Sequence, residues 1–241
     1  MLVRDTTGTQ LGSGVLAGTA PGGYWVVTNR HVVLEQKAVC VVTADHRGTT
    51  AVVISATPAE RRSEVDLALL WLPRRSKDSL MVAVMAQKPV DAASLPLVTA
   101  TGYPTPLKTS PDGPTYTERA GLLVPLLAKP LQGGFELAYT AAVEKGMSGG
   151  GVFAGGKLIG INGAHANPLW PGQWKDQQDE AVNEQLNDKL ELVSLGIAWP
   201  TIQSALKAVQ PPMVAQLSVL VGAKCNSPKP EAIDGRSNSK V

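Results

Sequence analysis

Short apolar runs rich in Val, Leu and Ile recur along most of this chain, and each is closed off by Gly, Pro, Asp or Asn. A first group comprises GVLAGTA (14–20), YWVVTN (24–29), AVCVVTA (38–44), TAVVISA (50–56), VDLALLWL (65–72) and LMVAVMA (80–86). A second comprises SLPLVTATGY (94–103), AGLLVPLL (120–127), FELAYTAA (135–142), GVFAG (151–155), KLIGINGA (157–164) and LELVSLGIAW (190–199). Runs of this length and spacing, rich in β-branched residues and bounded by turn formers, predict strands of an all-β sandwich or barrel. The break near Gln87–Ser94 divides them into about six strands on either side. The expected organisation is a barrel over residues 1–90, a second over 91–210, and a tail over 211–241 that is disordered towards its end, since from Asn226 onward it has almost nothing to bury.

Other classes are closed off by composition. The chain has 241 residues, 44% hydrophobic and 17% charged, which argues against disorder, collagen and coiled coil. A net charge of +2 leaves no electrostatic footprint for nucleic acid. No run reaches the ~18–20 apolar residues of a membrane span. The polar start MLVRDTTGTQ predicts no signal peptide in the chain as it stands, and the compartment is left open. Two cysteines, Cys40 and Cys225, are too few for a disulfide framework, and no paired Cys/His spacing suggests a metal site. Neither a cofactor nor a metal is expected, and a monomer is the default.

Two stretches depart from the strand pattern. PTIQSALKAV (200–209) places Pro at a first helical position and Ile202, Leu206 and Val209 at helical spacing. Residues 165–188 read as a polar surface excursion, with Trp170 and Trp174 early and a Glu/Gln/Asn-rich second half.

Chemistry concentrates at three places. Gly146-Met147-Ser148-Gly149-Gly150 is a bend in which glycines allow backbone N–H groups to turn past the serine Oγ, as an oxyanion requires. His31 ends YWVVTNRHVV, where a buried strand runs out. Asp66 sits inside an otherwise apolar run, where an unpaired carboxylate would cost several kcal/mol. A histidine Nδ1–H meeting that carboxylate would satisfy both and leave Nε2 as a base. The Gly-x-Ser-x-Gly string also fits the nucleophile elbow of α/β-hydrolases. There, however, the acid and the histidine follow the serine; His165 is the only histidine after Ser148, and no Asp or Glu lies between them.

TNRHVV, VDLALL and GMSGG, in this order, resemble trypsin-like serine peptidases of the chymotrypsin double-barrel fold. GSGVLAG, DLALL and GINGA resemble the bacterial and HtrA-type branch, and ELAYTAAVEKGMSGGGVF with LVSLGIAWPTI is similar to small trypsin-like proteins common in cyanobacteria. The resemblance, over roughly residues 10–210, implies two six-stranded antiparallel barrels with a C-terminal helix. It implies a serine endopeptidase acting on polypeptides: Ser148 as nucleophile, His31 as general base and acid, and Asp66 as orienting carboxylate. The N–H groups of Gly146 and Ser148 would form the oxyanion hole. Ala141, Ala142 and Val143 would floor the S1 pocket, and Gly163, Ala164 and His165 would lie along the substrate. That floor lacks an acid, so a small or medium aliphatic P1 is expected, while His165 at the mouth would favour an acidic one. Met147 replaces the Asp of animal digestive members, which implies no activation by cleavage. The alternatives are an inactive peptide-binding module of the same fold and a scaffold domain.

Overall fold

The apolar runs pair into two antiparallel sheets. The computed structural model describes residues 1–44, 46–56, 65–75, 80–106, 113–164, 172–212 and 225. The first sheet contains β1 (Leu2–Arg4), β2 (Gln10–Ser13), β3 (Val15–Ala20), β4 (Gly23–Thr28), β5 (Ala38–Val42), β6 (Gly48–Ala56) and β7 (Ala68–Pro73), in the order β2-β1-β5-β6-β7-β4-β3. Its edge strands β2 and β3 are halves of one run interrupted at Gly14, and counting them as one gives six strands. This sheet is an open half-barrel. The second is a closed barrel of β8 (Leu97–Gly102), β9 (Thr117–Val124), β10 (Leu137–Tyr139), β11 (Gly151–Ala154), β12 (Lys157–Ala164) and β13 (Ser194–Ala198). Helix α1 (Glu184–Leu190) precedes β13, and α2 (Trp199–Ala208) follows it.

The unbroken apolar character of YWVV and ALLWL has a structural cause. In β4, Tyr24 and Val26 face the interior of the first sheet, while Trp25 and Val27 face the second. In β7, Ala68, Leu70 and Leu72 point inward, and Leu69 and Trp71 point across. Both faces are buried, so the usual apolar–polar alternation disappears. Across the junction these residues meet Leu131, Phe135, Leu158, Ile161, Leu195 and Ile197. Trp25 and Trp71 pack edge to face there, with centroids 4.9 Å apart. A shared core therefore fixes one sheet against the other.

Several expectations change. LMVAVMA is not a strand: Ala83 N–H donates to Leu16 O in the first sheet, and Val84 O accepts from Leu158 N–H in the second. The segment crosses from one sheet to the other and gives each too few bonds to form a ladder. The short segments Leu2–Arg4 and Gln10–Ser13 supply two strands that the apolar pattern does not reveal. Within the excursion, Asn183 caps α1 through its side chain, and Trp174 packs edge to face on Phe135. Helix α2 spans Trp199–Ala208, one residue earlier at each end than the expected 200–209, with Ile202 fully buried. The two cysteines are bonded to each other. Cys40 on β5 and Cys225, 185 residues later, have Cα atoms 5.5 Å apart. The bond ties the C-terminal region to the first sheet, a pairing set by the path of the chain and not by local spacing.

Candidate active site

His31 is placed by the residues on either side of it. After β4 the chain makes a single 3-10 turn, Arg30–Val33, whose Val32 and Val33 enter the core of the first sheet. The same turn leaves the histidine side chain about half exposed (49%). Asp66 is buried just before β7. His31 Nδ1 lies 2.6 Å from Asp66 Oδ2, and the His31 backbone N–H donates to Asp66 Oδ1 at 3.0 Å. Both carboxylate oxygens are thus engaged by one residue, which fixes the ring in position and in rotation. With the proton on Nδ1, Nε2 is left as an acceptor.

The carboxylate is itself held in place. The Asp66 carbonyl accepts from Asn29 Nδ2 at 3.0 Å and from the Arg30 N–H at 3.2 Å. Its own N–H donates to Gly133 O, from the loop before β10, at 2.8 Å. The buried carboxylate expected to need a partner therefore has one, and the first sheet's acid is fastened to the second sheet's loop.

Ser148 is half-buried in the turn that leads into β11. Gly146 and Gly149 carry φ values of +94° and +81°, a region that a side chain resists. Four successive carbonyls in this turn are tied down. Lys145 O accepts from Thr105 N–H (2.7 Å), Gly146 O from Ser13 Oγ (2.8 Å), Met147 O from Gly150 N–H (3.0 Å) and Asn162 Nδ2 (3.1 Å), and Ser148 O from Ser13 N–H (2.8 Å). Among the described residues, the N–H groups of Gly146 and Ser148 donate to nothing. In a planar trans peptide the N–H points opposite to the preceding carbonyl. Anchoring Lys145 O and Met147 O therefore turns the Gly146 and Ser148 N–H groups away from those anchors.

The serine loop also joins the two sheets. Gly149 approaches Ser13 O and Thr28 Oγ1 so closely that no side chain fits there. Thr28 Oγ1 donates to Ser13 O at 2.7 Å. Thr28, three residues before His31, therefore braces the strand that grips the serine turn. The Ser148 hydroxyl points to Gly163 O at 3.5 Å and makes no hydrogen bond to His31.

These sheets have known counterparts. The trypsin-like peptidase domain matches residues 12–161, more than half of the chain. The chain belongs to the trypsin-like peptidase family. Among solved structures, this trypsin-like domain is similar to the Rv3671c protease of M. tuberculosis H37Rv in an inactive form, with 19% identity, a TM-score of 0.55 and 86% of each chain covered. It is also similar to the serine endoprotease from Yersinia pestis, with 20% identity and a TM-score of 0.56, over 86% of this chain and 60% of that one. A third likeness is to the HtrA-type protease AlgW with a decapeptide, with 20% identity and a TM-score of 0.54, over 90% of this chain and 61% of that one. At such identities the likeness shows the fold alone. No curated protein sequence matches the chain.

The remaining expected positions fall as follows in this trypsin-like domain. Ala141 and Val143 are buried and Ala142 is exposed. Ser194 Oγ donates to Ala141 O at 2.9 Å and accepts from the Val143 N–H at 3.2 Å, clamping that segment. Pairing of β12 with β11 ends at Ile161, and its register with β13 shifts between Asn162 and Ala164, so Gly163 drops out of the ladder. His165 lies outside the described residues. Three residues with roles here do not stand out in the sequence: Ser13, Asn29 and Asn162. Ser13 and Asn162 fall within GSGVLAG and GINGA, strings that carry the family resemblance, but nothing in their spacing points to a hydrogen-bonding role.

Proposed function

We propose that this chain is a serine endopeptidase. The carrying observation is the His31 Nδ1 to Asp66 Oδ2 contact of 2.6 Å, made by a half-exposed histidine in the sheet that grips the Ser148 turn. In this reading His31 Nε2 takes the Ser148 proton as Oγ attacks the carbonyl carbon of the scissile bond. Asp66 keeps the ring in the basic tautomer and stabilises the imidazolium that forms. The N–H groups of Gly146 and Ser148 donate to the oxyanion. His31 then protonates the leaving amine, and water cleaves the acyl-enzyme by the same route. The stretch at Gly163 and Ala164, beyond the end of pairing with β11, receives the substrate backbone. Ala142 and Val143, without an acid, suit a small aliphatic P1 side chain, each buried CH₂ of which adds ~0.8 kcal/mol.

One observation favours the alternative of a peptide-binding module without turnover: the Ser148 hydroxyl faces Gly163 O and not His31. Catalytic hydrogen bonds are often loose before substrate binds, and the endopeptidase reading requires the serine Oγ to turn from Gly163 O to His31 Nε2. Incubation with a fluorophosphonate probe separates the two. Endopeptidase chemistry predicts labelling of the wild type and none of Ser148→Ala. An unlabelled wild type, folded by its melting curve, overturns the proposal in favour of the binding module.

A further inference from the structure

Asn162 lies directly behind the serine turn and is fully buried. Its side chain makes three hydrogen bonds. Nδ2 donates to Thr101 O at 2.8 Å and to Met147 O at 3.1 Å, and Oδ1 accepts from the Tyr139 hydroxyl at 2.8 Å. The orientation of the amide is fixed by chemistry: two carbonyls can only accept, so they face the NH₂, and the oxygen is left for the phenol. The backbone of Asn162 adds two more bonds, accepting from Gly149 N–H at 2.9 Å and donating to Gly150 O at 2.8 Å. One residue thereby touches three members of the turn: Met147, Gly149 and Gly150. Met147, before the nucleophile, is apolar and fully buried, and brings no charge to the loop.

The consequence lies one peptide unit away. The Met147 carbonyl and the Ser148 N–H belong to the same planar unit and point in opposite directions. Whatever holds that carbonyl sets the direction of that N–H. Among the described residues, Gly150 N–H and Asn162 Nδ2 are what hold it, and Asn162 supplies the only side chain. Tyr139 stands behind Asn162 with its ring in the core of the second barrel, and its hydroxyl donates to the amide oxygen that the two carbonyls leave facing it.

Resting on the serine peptidase reading, we infer that Asn162, oriented by Tyr139, is the positioning residue that aims the Ser148 N–H at the oxyanion. It touches no substrate. Its effect falls on the transition state, because the negative oxygen exists only there, and so on kcat and not on KM. A residue that merely stabilised the fold would change the fraction of active molecules and leave each active molecule as fast as before.

The test compares wild type, Asn162→Ala and Tyr139→Phe. Active sites are counted by fluorophosphonate end-point, so that kcat refers to competent molecules. A peptide substrate gives kcat and KM, and a peptidyl boronate of the same sequence, which forms a tetrahedral adduct, gives Ki. Asn162→Ala is expected to lower kcat about 10- to 100-fold, with KM within about twofold and boronate affinity weakened in step with kcat. Tyr139→Phe, which keeps the ring and loses one hydroxyl, moves both quantities a few-fold in the same direction. Unchanged kcat per titrated site and unchanged Ki in both variants overturn the inference, as does a loss confined to KM. If Asn162→Ala does not fold, Tyr139→Phe decides by the same two readings. A wild type that never reacts with the phosphonate refutes the peptidase reading and this role with it. A reactive wild type beside unaffected variants refutes the role alone.

Discussion

Replacing Asp66 by Asn probes the site with almost no change of shape. The carboxylate holds His31 twice, through Nδ1 at 2.6 Å and through the backbone N–H at 3.0 Å. In Asp66→Asn the amide oxygen can keep the backbone bond. The amide NH₂ then faces Nδ1 and requires an acceptor there, so the ring proton moves to Nε2. In the proposed mechanism Nε2 is the atom that receives the Ser148 proton, and in this tautomer it cannot do so. Loss of the correct tautomer in a Ser-His-Asp site costs about 10⁴ in kcat, or about 5.5 kcal/mol of barrier. Stability should change far less, by under about 2 kcal/mol, because volume and one hydrogen bond are retained. The assay is the pseudo-first-order rate of fluorophosphonate labelling beside peptide turnover, with melting curves to confirm folding. A folded Asp66→Asn protein that labels within about tenfold of the wild-type rate refutes the reasoning, since His31 would then not depend on Asp66 for its tautomer.

Ser13→Ala removes the donor to Gly146 O and the acceptor for Tyr103 N–H, two partners at 2.8 and 2.9 Å. Leaving them unpaired should cost about 1–3 kcal/mol in urea unfolding, and a loss below about 0.5 kcal/mol would show that water replaces the hydroxyl. Burial pushes the Tyr139 hydroxyl well above the ordinary value of 10.0, and burial followed by the Glu118 hydrogen bond pushes Tyr116 up to about 12. The folded protein then keeps protons that the unfolded chain has released, so the stability these groups contribute is full below pH 10 and falls as pH rises from there towards about 12. Melting temperatures measured between about pH 9 and 11 should fall, and fall less steeply in Tyr139→Phe. Cys40→Ser opens a loop closed across 185 residues and should lower stability by about 2–5 kcal/mol, read as a shift of the urea midpoint that dithiothreitol reproduces in the wild type.

The parts of this fold legible in the sequence are those written in local patterns. Strands β4 and β7 stand out because both their faces are buried, which makes the runs YWVV and ALLWL continuous. The link between His31 and Asp66 is legible because an acid inside an apolar run must be compensated, and the observed contact does so. β1 and β2 are illegible because Leu2–Arg4 and Gln10–Ser13 are short and take their strand character from pairing partners, with β1 joined to β5. LMVAVMA misleads in the opposite way: it is apolar because it crosses between two cores, not because it joins a ladder. Ser13, Asn162 and Tyr139 act over separations of 133, 15 and 23 residues, through hydrogen bonds that leave no periodic trace. The cysteine pair is the extreme case, since two lone residues 185 apart declare nothing until the chain has folded.

That pair also changes what a cut would do. Cys40 and Cys225 close a covalent ring that takes in β5 from Cys40 onward, β6, β7 and the whole of the second barrel, with the candidate nucleophile inside it. A protease of this design that nicks its own copies anywhere between those cysteines releases no fragment. The two pieces stay joined, migrate together until a reductant is added, and keep His31 and Ser148 in one particle even when the cut falls between Cys40 and Ser148.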